Sequence, residues 1–443
     1  MSSRAATLIP TRPPLPGAPP AVRVPRPERI TLANGLKLVL IPRRGLPHLS
    51  LKLVVPAGSV AEPAERAGSA ALLAALLTEG TPRLGANALH ARLDALGAAV
   101  HAEALHDAAV VEAHLLSETA PEALALLGET VLDPALPERE LERVRAETLD
   151  ALEARGDEPA NLADDRLALE IFGAAHPYGR LVIGSETTLA EITRADLFAL
   201  HAARYRPGGS VLVAAGDFDV DDFAALVERA LAGWSGAAAP VGYPPLPAAL
   251  ASGRRVEEPW VDAAQAEIRI GTRGMRRDDP EWIAGAVANY ILGGSTITGR
   301  LGANLREAKG WTYGARSGFA AAIQPGGWAA ETAVDVAVAD AAVREMLDEM
   351  RHMRDALVPA EELRRAKDAL ILSLPHAFET PGAVVNRFVT IETFGLPADY
   401  WERYAAAVEA VQAEDVARIA QRYFDAERAV QVMVGTPRAG EVG

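Results

Sequence analysis

Hydrophobic positions along the chain follow two periods, and together they predict strands and helices in one consistent order. Alternating apolar positions indicate strands, and apolar positions three and four apart indicate helices. For the first half the predicted elements are, in order, a hairpin around Asn34-Gly35 (30–41), a strand (48–57), helices (67–78, 86–96), strands (98–105, 107–116), helices (119–131, 137–155, 158–172, 195–205) and a strand (210–215). Grouped strands and helices of this kind predict an α+β layer, a mainly antiparallel sheet covered by helices.

Two pairs of similar segments recur along the chain at nearly equal separations. Residues 136–149 (LPERELERVRAETL) resemble 358–371 (VPAEELRRAKDALI), an offset of 222 positions. Residues 204–217 resemble 422–435, an offset of 218 positions. In each copy an Arg-Tyr pair closes a helix before a hydrophobic strand. The chain is therefore predicted to hold two homologous α+β domains.

Proline positions indicate where these domains begin and end. Six prolines within the first 20 residues favour an extended, disordered arm. Four more lie within 236–252 and mark a linker. The predicted organisation is an arm (1–26), an N-terminal domain (27–235), the linker (236–252) and a C-terminal domain (253–443).

Composition excludes several kinds of function. The net charge is −15, from 44 Lys+Arg and 59 Asp+Glu, which argues against general affinity for nucleic acid or anionic membranes. The absence of cysteine excludes disulfides, thiolate zinc sites and a cysteine nucleophile. No apolar run approaches the roughly 20 residues that span a bilayer. Because no signal peptide is evident, we expect a cytoplasmic protein, with the periplasm left open.

The helix predicted near residue 70 carries no reactive side chain. Residues 67–81 read AGSAALLAALLTEGT, a run framed by Gly68 and by Gly80-Thr81. This frame and four other landmarks, in this order and spacing, resemble the pitrilysin-like "inverted" zinc peptidases, the family of the mitochondrial processing peptidase. The other landmarks are Asn34-Gly35-Leu36, Ala57-Gly58-Ser59, HPYGR (176–180) and LGGSTITGRLGANLREAKGWTYG (292–314).

The resemblance implies a zinc motif, H-x-x-E-H, at this frame. In that motif two histidines at i and i+4 bind zinc and the glutamate polarises a water molecule. The three positions here are Ala71, Ala74 and Ala75, and the further glutamate ligand of the family falls at Ala151 or Ala154. None of the nine histidines pairs with another at i, i+4. We therefore predict no metal in this chain and expect zinc in a homologous partner subunit with an intact motif.

The second copy contains the residues that the resemblance assigns to chemistry. In the family's C-terminal halves, an arginine and a tyrosine seven residues apart reach into the partner's active site, and Arg306 and Tyr313 match that spacing. The local pattern predicts a helix over 296–308, a stop at Gly310 and a strand beginning at Trp311. The alternative interpretation is that Arg306 forms a surface ion pair and Tyr313 caps the core.

These observations predict the non-zinc subunit of a heteromeric zinc peptidase. Such a chain is not a peptidase alone. It would form half of a chamber for an extended peptide substrate and would supply Arg306 and Tyr313 to the partner's zinc site. Two alternatives stay open: a catalytically silent structural subunit, and a stand-alone peptide-binding homodimer.

Overall fold

Two β-sheets with flanking helices organise the chain in the computed structural model, which describes residues 23–260 and 262–436. The first 22 positions of the predicted arm lie outside the described residues. The α+β class with two mainly antiparallel sheets is confirmed. Residues 238–253, within and just after the predicted linker, form neither helix nor strand. The domain boundaries themselves stay a prediction.

The two sheets share the order of five strands, and the first sheet has one more strand, β1, at its edge. The first contains β1 (Glu28–Thr31), β2 (Lys37–Pro42), β3 (His48–Val55), β4 (Ala99–Ala104), β5 (Ala109–Leu116) and β6 (Val211–Gly216), in the order β1-β2-β6-β3-β5-β4. The second contains β7 (Arg254–Pro259), β8 (Gln265–Arg273), β9 (Ala315–Phe319), β10 (Gly327–Asp335) and β11 (Val430–Thr436), in the order β7-β11-β8-β10-β9. The pairs β2–β6 and β7–β11 are parallel, and the other pairs are antiparallel. The duplication seen in the sequence is therefore also present in the topology.

Helices follow the strands in both copies. Those of the first are α1 (Ser69–Leu76), α2 (Ala86–Ala95), α3 (Ala120–Leu132), α4 (Glu138–Gly156), α5 (Pro159–Phe172), α6 (Glu186–Glu191), α7 (Arg194–Arg204) and α8 (Val220–Ala230). Those of the second are α9 (Trp282–Gly293), α10 (Arg300–Gly302), α11 (Ala339–Asp355), α12 (Ala360–Leu372), α13 (Pro381–Phe394), α14 (Tyr400–Ala410) and α15 (Ala413–Tyr423). The sequence pattern missed α6 and α8. The short helix α6 begins with a capping box between Ser185 and Thr188 and has almost no apolar stripe.

The main core of the first domain lies between its sheet and its helices. Alternate residues of β3, such as Leu51 and Leu53, point into this core because side chains of a strand alternate between its faces. They belong to the same apolar core as Leu72, Leu73 and Leu76 of α1. The helix at the centre of the sequence prediction is therefore a buried element of the first core.

The face of each sheet that does not contact the helices of its own main core is covered by one helix of the other domain. Leu167 and Ile171 of α5 pack against valines of β7 and β11 in the second sheet. Phe388 of α13 packs against Val39 and Val213 in the first sheet. This reciprocal packing joins the two domains through two separate apolar clusters. The sequence prediction of two similar domains did not include it.

Candidate functional site

The three alanines that occupy the zinc-motif positions lie together on α1. Ala74 is buried at 1% exposure, whereas Ala71 and Ala75 are half-buried and share one face, as residues at i and i+4 do. Helix α1 packs against α4, on which Ala151 and Ala154 are exposed. Methyl groups therefore occupy every position that the resemblance assigns to a zinc ligand or to the catalytic base.

A buried carboxylate fixes the start of α1. The backbone N–H groups of Gly68 and Ala70 donate to the two carboxylate oxygens of Glu62 at 2.9 and 2.7 Å. Gly68 adopts φ +100°, which favours glycine, and a Cβ there would meet the carbonyl oxygen of Ile183 at 2.8 Å. Burial raises the pKa of Glu62 to about 7, although these hydrogen bonds lower it. Glu62 satisfies donors that a helix start leaves unpaired, a role the sequence analysis missed.

The residues around α1 do not fit a zinc ion. Alanine offers no electron pair to a metal, and the acids Glu79 and Glu147 both pair with Arg143 at 2.7 Å. Within residues 23–260 and 262–436 no group of three or more His, Cys, Asp or Glu side chains is placed to hold a metal ion. The chemistry of this chain must therefore be sought in other residues.

Arg306 and Tyr313 are in direct contact. The guanidinium carbon of Arg306 lies 5.0 Å from the centroid of the Tyr313 ring, which is a cation–π contact. The Tyr313 side chain is 91% exposed, so it does not cap the core. Arg306 also lies 3.4 Å from the carboxylate of Glu307 on the same turn. The pair thus presents a guanidinium and a phenol hydroxyl side by side at the surface.

The helix that carries Arg306 differs from the predicted one. The predicted helix over 296–308 is wrong at its start, because α10 begins at Arg300, and the following turn, Ala303–Ala308, is π-helical. Gly310 ends it with φ +67°, as the sequence predicted. The predicted strand start at Trp311 is also wrong, because β9 begins at Ala315. Single π-helical turns are rare and often occur at functional sites.

Acidic side chains of α11 hold this π-helical turn from one side. The Asn304 amide donates to the carboxylates of Glu345 at 3.0 Å and Glu349 at 2.8 Å. The ammonium of Lys309 lies 3.1 Å from Glu345. Glu345 therefore contacts residues on both sides of Arg306 in the chain. These contacts lower the pKa of Glu345, with the Asn304 hydrogen bond as the largest cause.

The segment that carries Tyr313 is anchored on both sides of that residue. The Thr312 hydroxyl donates to the carbonyl of Gly314 at 2.9 Å. The buried Thr332 of β10 donates to the Thr312 hydroxyl at 3.0 Å. Because its neighbours are tied to the sheet, the Tyr313 side chain projects outward next to Arg306.

A second polar cluster joins the domains, and the sequence analysis did not assign it a role. Asp107, at the turn between β4 and β5, accepts hydrogen bonds from the hydroxyls of Tyr178 at 2.6 Å and Tyr243 at 2.9 Å. It also accepts one from the backbone N–H of Ile323 at 3.0 Å, a residue of the second domain. Burial raises the pKa of Tyr178 well above its usual value, with the hydrogen bond to Asp107 as the next cause. His176 fixes the HPYGR loop by accepting from the N–H of Tyr178 at 3.1 Å.

The structure therefore gathers the sequence-predicted residues into two groups rather than one site. Ala71, Ala74 and Ala75 lie on α1 of the first domain, which packs mainly against α4, α7 and β4. Arg306 and Tyr313 lie together in the second domain.

Two family models together match most of the chain. Residues 39–183 match the family model described as Insulinase (Peptidase family M16), and residues 191–370 match the model described as Peptidase M16 inactive domain. An uncharacterized zinc protease of Mycobacterium tuberculosis is 31% identical over 303 residues, which cover 67% of each chain. The chain belongs to peptidase family M16. This confirms the pitrilysin-like resemblance, and the alanines make it a member without the zinc motif.

Two further relatives of this M16 chain span most of its length. The mitochondrial-processing peptidase subunit beta of Lentinula edodes is 24% identical over 422 residues, 90% of this chain and 87% of that one. The crystal structure titled as a peptidase M16 inactive domain from Pseudomonas fluorescens superimposes with a TM-score of 0.86 and 27% identity. The superposition covers 94% of this chain and 98% of the Pseudomonas fluorescens chain. Both M16 domains are thus represented in similar proteins.

Within the described residues of this M16 chain, no helix combines the length and apolar character needed to cross a membrane.

Proposed function

We propose that this chain is the non-zinc subunit of a heteromeric M16 peptidase. In this proposal it forms half of the peptide chamber and supplies Arg306 and Tyr313 to a partner's zinc site. The observation that carries the proposal is the exposed Arg306–Tyr313 contact in a chain whose zinc-motif positions are alanine. A chain with no use for this pair would gain little from holding an aromatic ring 91% exposed.

The chemistry of the pair suits peptide hydrolysis. Arginine presents a planar fork of N–H donors, and tyrosine adds one O–H donor. Donors aimed at the oxygen that gains negative charge in the transition state can each lower the barrier by roughly 3–4 kcal/mol. Stacking on the Tyr313 ring restricts the Arg306 guanidinium before substrate arrives, which reduces the entropy lost on binding.

The partner is a homologous subunit with an intact H-x-x-E-H motif. Zinc held there would polarise the attacking water, and no zinc is assigned to this chain. The substrate is an extended peptide that pairs through backbone hydrogen bonds with a sheet edge of the partner. The mitochondrial-processing peptidase similarity supports such pairing, because its matched relative is named as one subunit of a peptidase.

Reconstitution with a zinc-bearing partner tests the proposal. Wild type, Arg306→Ala and Tyr313→Phe are mixed with that partner, and assembly and cleavage of a fluorogenic peptide are measured. We expect normal assembly and a fall in kcat/KM of roughly a hundredfold for each variant. Arg344→Ala, which removes an exposed arginine of α11, is the matched control and should cleave at the wild-type rate.

Cleavage at the wild-type rate by both Arg306→Ala and Tyr313→Phe would show that the pair has no catalytic role. Native mass measurement separates the alternatives. A mass of two identical chains in the presence of excess partner would favour the peptide-binding homodimer. Assembly with the partner but without turnover in wild type would favour the silent structural subunit.

A further inference from the structure

Two neighbouring cavities lie along the seam between the domains. The apolar cavity, about 510 Å³, is lined by α5, the β4–β5 turn, the loop before β10 and the end of α13. The charged cavity, about 660 Å³, is lined by α5, residues 178–183, His106, Arg155 of α4 and Glu258 of β7. The two share five wall residues: His106, Asp164, Ala168, Tyr178 and Val182. Both volumes fall in the range of small-molecule sites, which often lie at domain interfaces.

Most polar groups around the apolar cavity are already paired; the buried hydroxyl of Thr393, which has no hydrogen-bond partner among the described residues, is an exception. Asp107 accepts three hydrogen bonds, and the carboxylate of Asp164 accepts one from Arg269 at 2.5 Å. Burial lowers the pKa of His106, so its ring is neutral near pH 7, and its Nδ1 lies 3.0 Å from the Ser59 hydroxyl. The remaining wall consists mainly of aliphatic and aromatic side chains, among them Leu105, which is half exposed. This cavity favours an uncharged, apolar occupant.

One arginine of the charged cavity, Arg180, forms no ion pair with a carboxylate among the described residues. Arg155 lies 2.5 Å from Asp165 and Arg166 lies 3.0 Å from Glu170. In the described part of the chain no carboxylate lies within 4 Å of Arg180, which donates to the carbonyls of Ala174 and Ala175 at 3.2 and 3.3 Å. The neighbouring carboxylate of Glu62 accepts from two backbone N–H groups, and the charge of Arg180 is one of the causes that lower its pKa against the larger effect of burial.

We propose that the two cavities form one binding site for a small molecule with an apolar body and a single carboxylate. The carboxylate binds the Arg180 guanidinium, which offers paired N–H donors, and the apolar body fills the cavity beside Ala168. A medium-chain fatty acid and the C-terminus of a peptide with apolar last residues share this chemistry. The site lies within one chain and goes beyond the proposed function, so it is tested without a partner subunit.

Calorimetric titration of the full chain with decanoate tests the head-group contact. We expect decanoate to bind wild type and Arg180→Gln to weaken that binding about tenfold or more, because a charged hydrogen bond is lost. Arg139→Gln is the matched control, since it removes an exposed arginine of α4 outside both cavities. Neutral decanol should bind wild type and Arg180→Gln equally. The assignment would be overturned if Arg180→Gln and Arg139→Gln bound decanoate equally. It would also be overturned if Arg180→Gln lost as much affinity for decanol as for decanoate.

A filled cavity tests the apolar contact. Ala168→Phe should abolish binding of both decanoate and decanol, whereas Ala406→Phe, on the exposed surface of α14, should leave both unchanged. Titration with N-acetyl-leucyl-phenylalanine separates a fatty acid from a peptide C-terminus as the ligand. If this peptide binds more tightly than decanoate, the site is one for peptide C-termini, and if decanoate binds more tightly, it is a fatty-acid site. Failure of both to bind wild type, or wild-type binding by a folded Ala168→Phe chain, would refute the site.

Discussion

The Arg306 guanidinium lies 5.0 Å from the centre of the Tyr313 ring, and that ring is 91% exposed. Such contacts at exposed sites contribute only about 0.5–1 kcal/mol. The pair therefore adds little to the stability of the chain and leaves its donors available to another molecule.

Removing the pair should leave the isolated chain folded. We expect Arg306→Ala and Tyr313→Phe each to change the free energy of unfolding by less than about 1 kcal/mol, because the contact is solvent-exposed. Urea denaturation followed by circular dichroism measures this. A loss of about 3 kcal/mol or more in either variant would instead make the pair a structural element and would weaken its assigned role.

Glu345 should position Arg306 through the π-helical turn. Glu345→Gln keeps the size of the side chain but loses the ion pair with Lys309 and weakens the hydrogen bond from Asn304. We expect a loss of about 1–2 kcal/mol in unfolding free energy and a shifted emission of Trp311, whose ring lies 5.2 Å from the Lys309 ammonium.

In the reconstituted peptidase, Glu345→Gln should lower kcat more than it raises KM. The substitution shifts the Arg306 guanidinium, a donor to the transition state, and leaves the surface that binds the peptide unchanged. Glu361→Gln, an exposed acid on α12, is the control and should change neither the emission nor the rate. Emission and kinetics that match this control would show that Glu345 does not position the turn.

Glu62 should make stability depend on pH near neutrality. Its pKa is raised from 4.5 to about 7 in the folded chain, so the folded state binds a proton more tightly than the unfolded state. This contribution is full below pH 4.5 and is lost as pH rises through about 7. Between pH 5 and pH 8 we expect wild type to lose about 2.5 kcal/mol more than Glu62→Gln.

Urea denaturation of wild type and Glu62→Gln at the two pH values checks this difference. The variant cannot titrate at position 62, so it reports the contribution of all other groups. Parallel pH dependence of the two proteins would show that Glu62 keeps an ordinary pKa in the folded chain.

Asp107 should hold the domains together at their seam. Asp107→Asn leaves at least one of three donors without a good acceptor, and we expect a loss of about 3 kcal/mol in the free energy of unfolding. Because Tyr243 lies in the predicted linker, limited proteolysis should then cleave within 236–252 faster than in wild type. Asp133→Asn, on the loop after α3, serves as control, and equal proteolysis of the two variants would contradict the interdomain role.

In the first domain, local patterns in the sequence predicted the bounds of every strand and helix that they identified to within about two residues. Gly310 was predicted to stop its helix and does so with φ +67°. The helix before it begins at Arg300, four residues later than predicted. Its π-helical turn was not predicted either, and that turn is contacted by carboxylates of α11 that follow more than 30 positions later. The role of Glu62 was missed because its N–H partners, Gly68 and Ala70, lie six and eight positions later, and no known capping motif has this spacing.

The sequence by itself determined the duplication, the two mainly antiparallel sheets and, through the resemblance to a family, the alanines where zinc ligands would stand. Each of these rests on residue identity or on a period of two to four residues, which a single chain displays directly. Only the tertiary structure decided that α5 and α13 cover each other's sheets, that Asp107 reaches Ile323, and that Arg306 meets Tyr313 at the surface. Those contacts depend on packing between segments that are distant in the sequence. Local periodicity shows that a helix has an apolar face, but only the packing of the complete core decides which sheet that face covers.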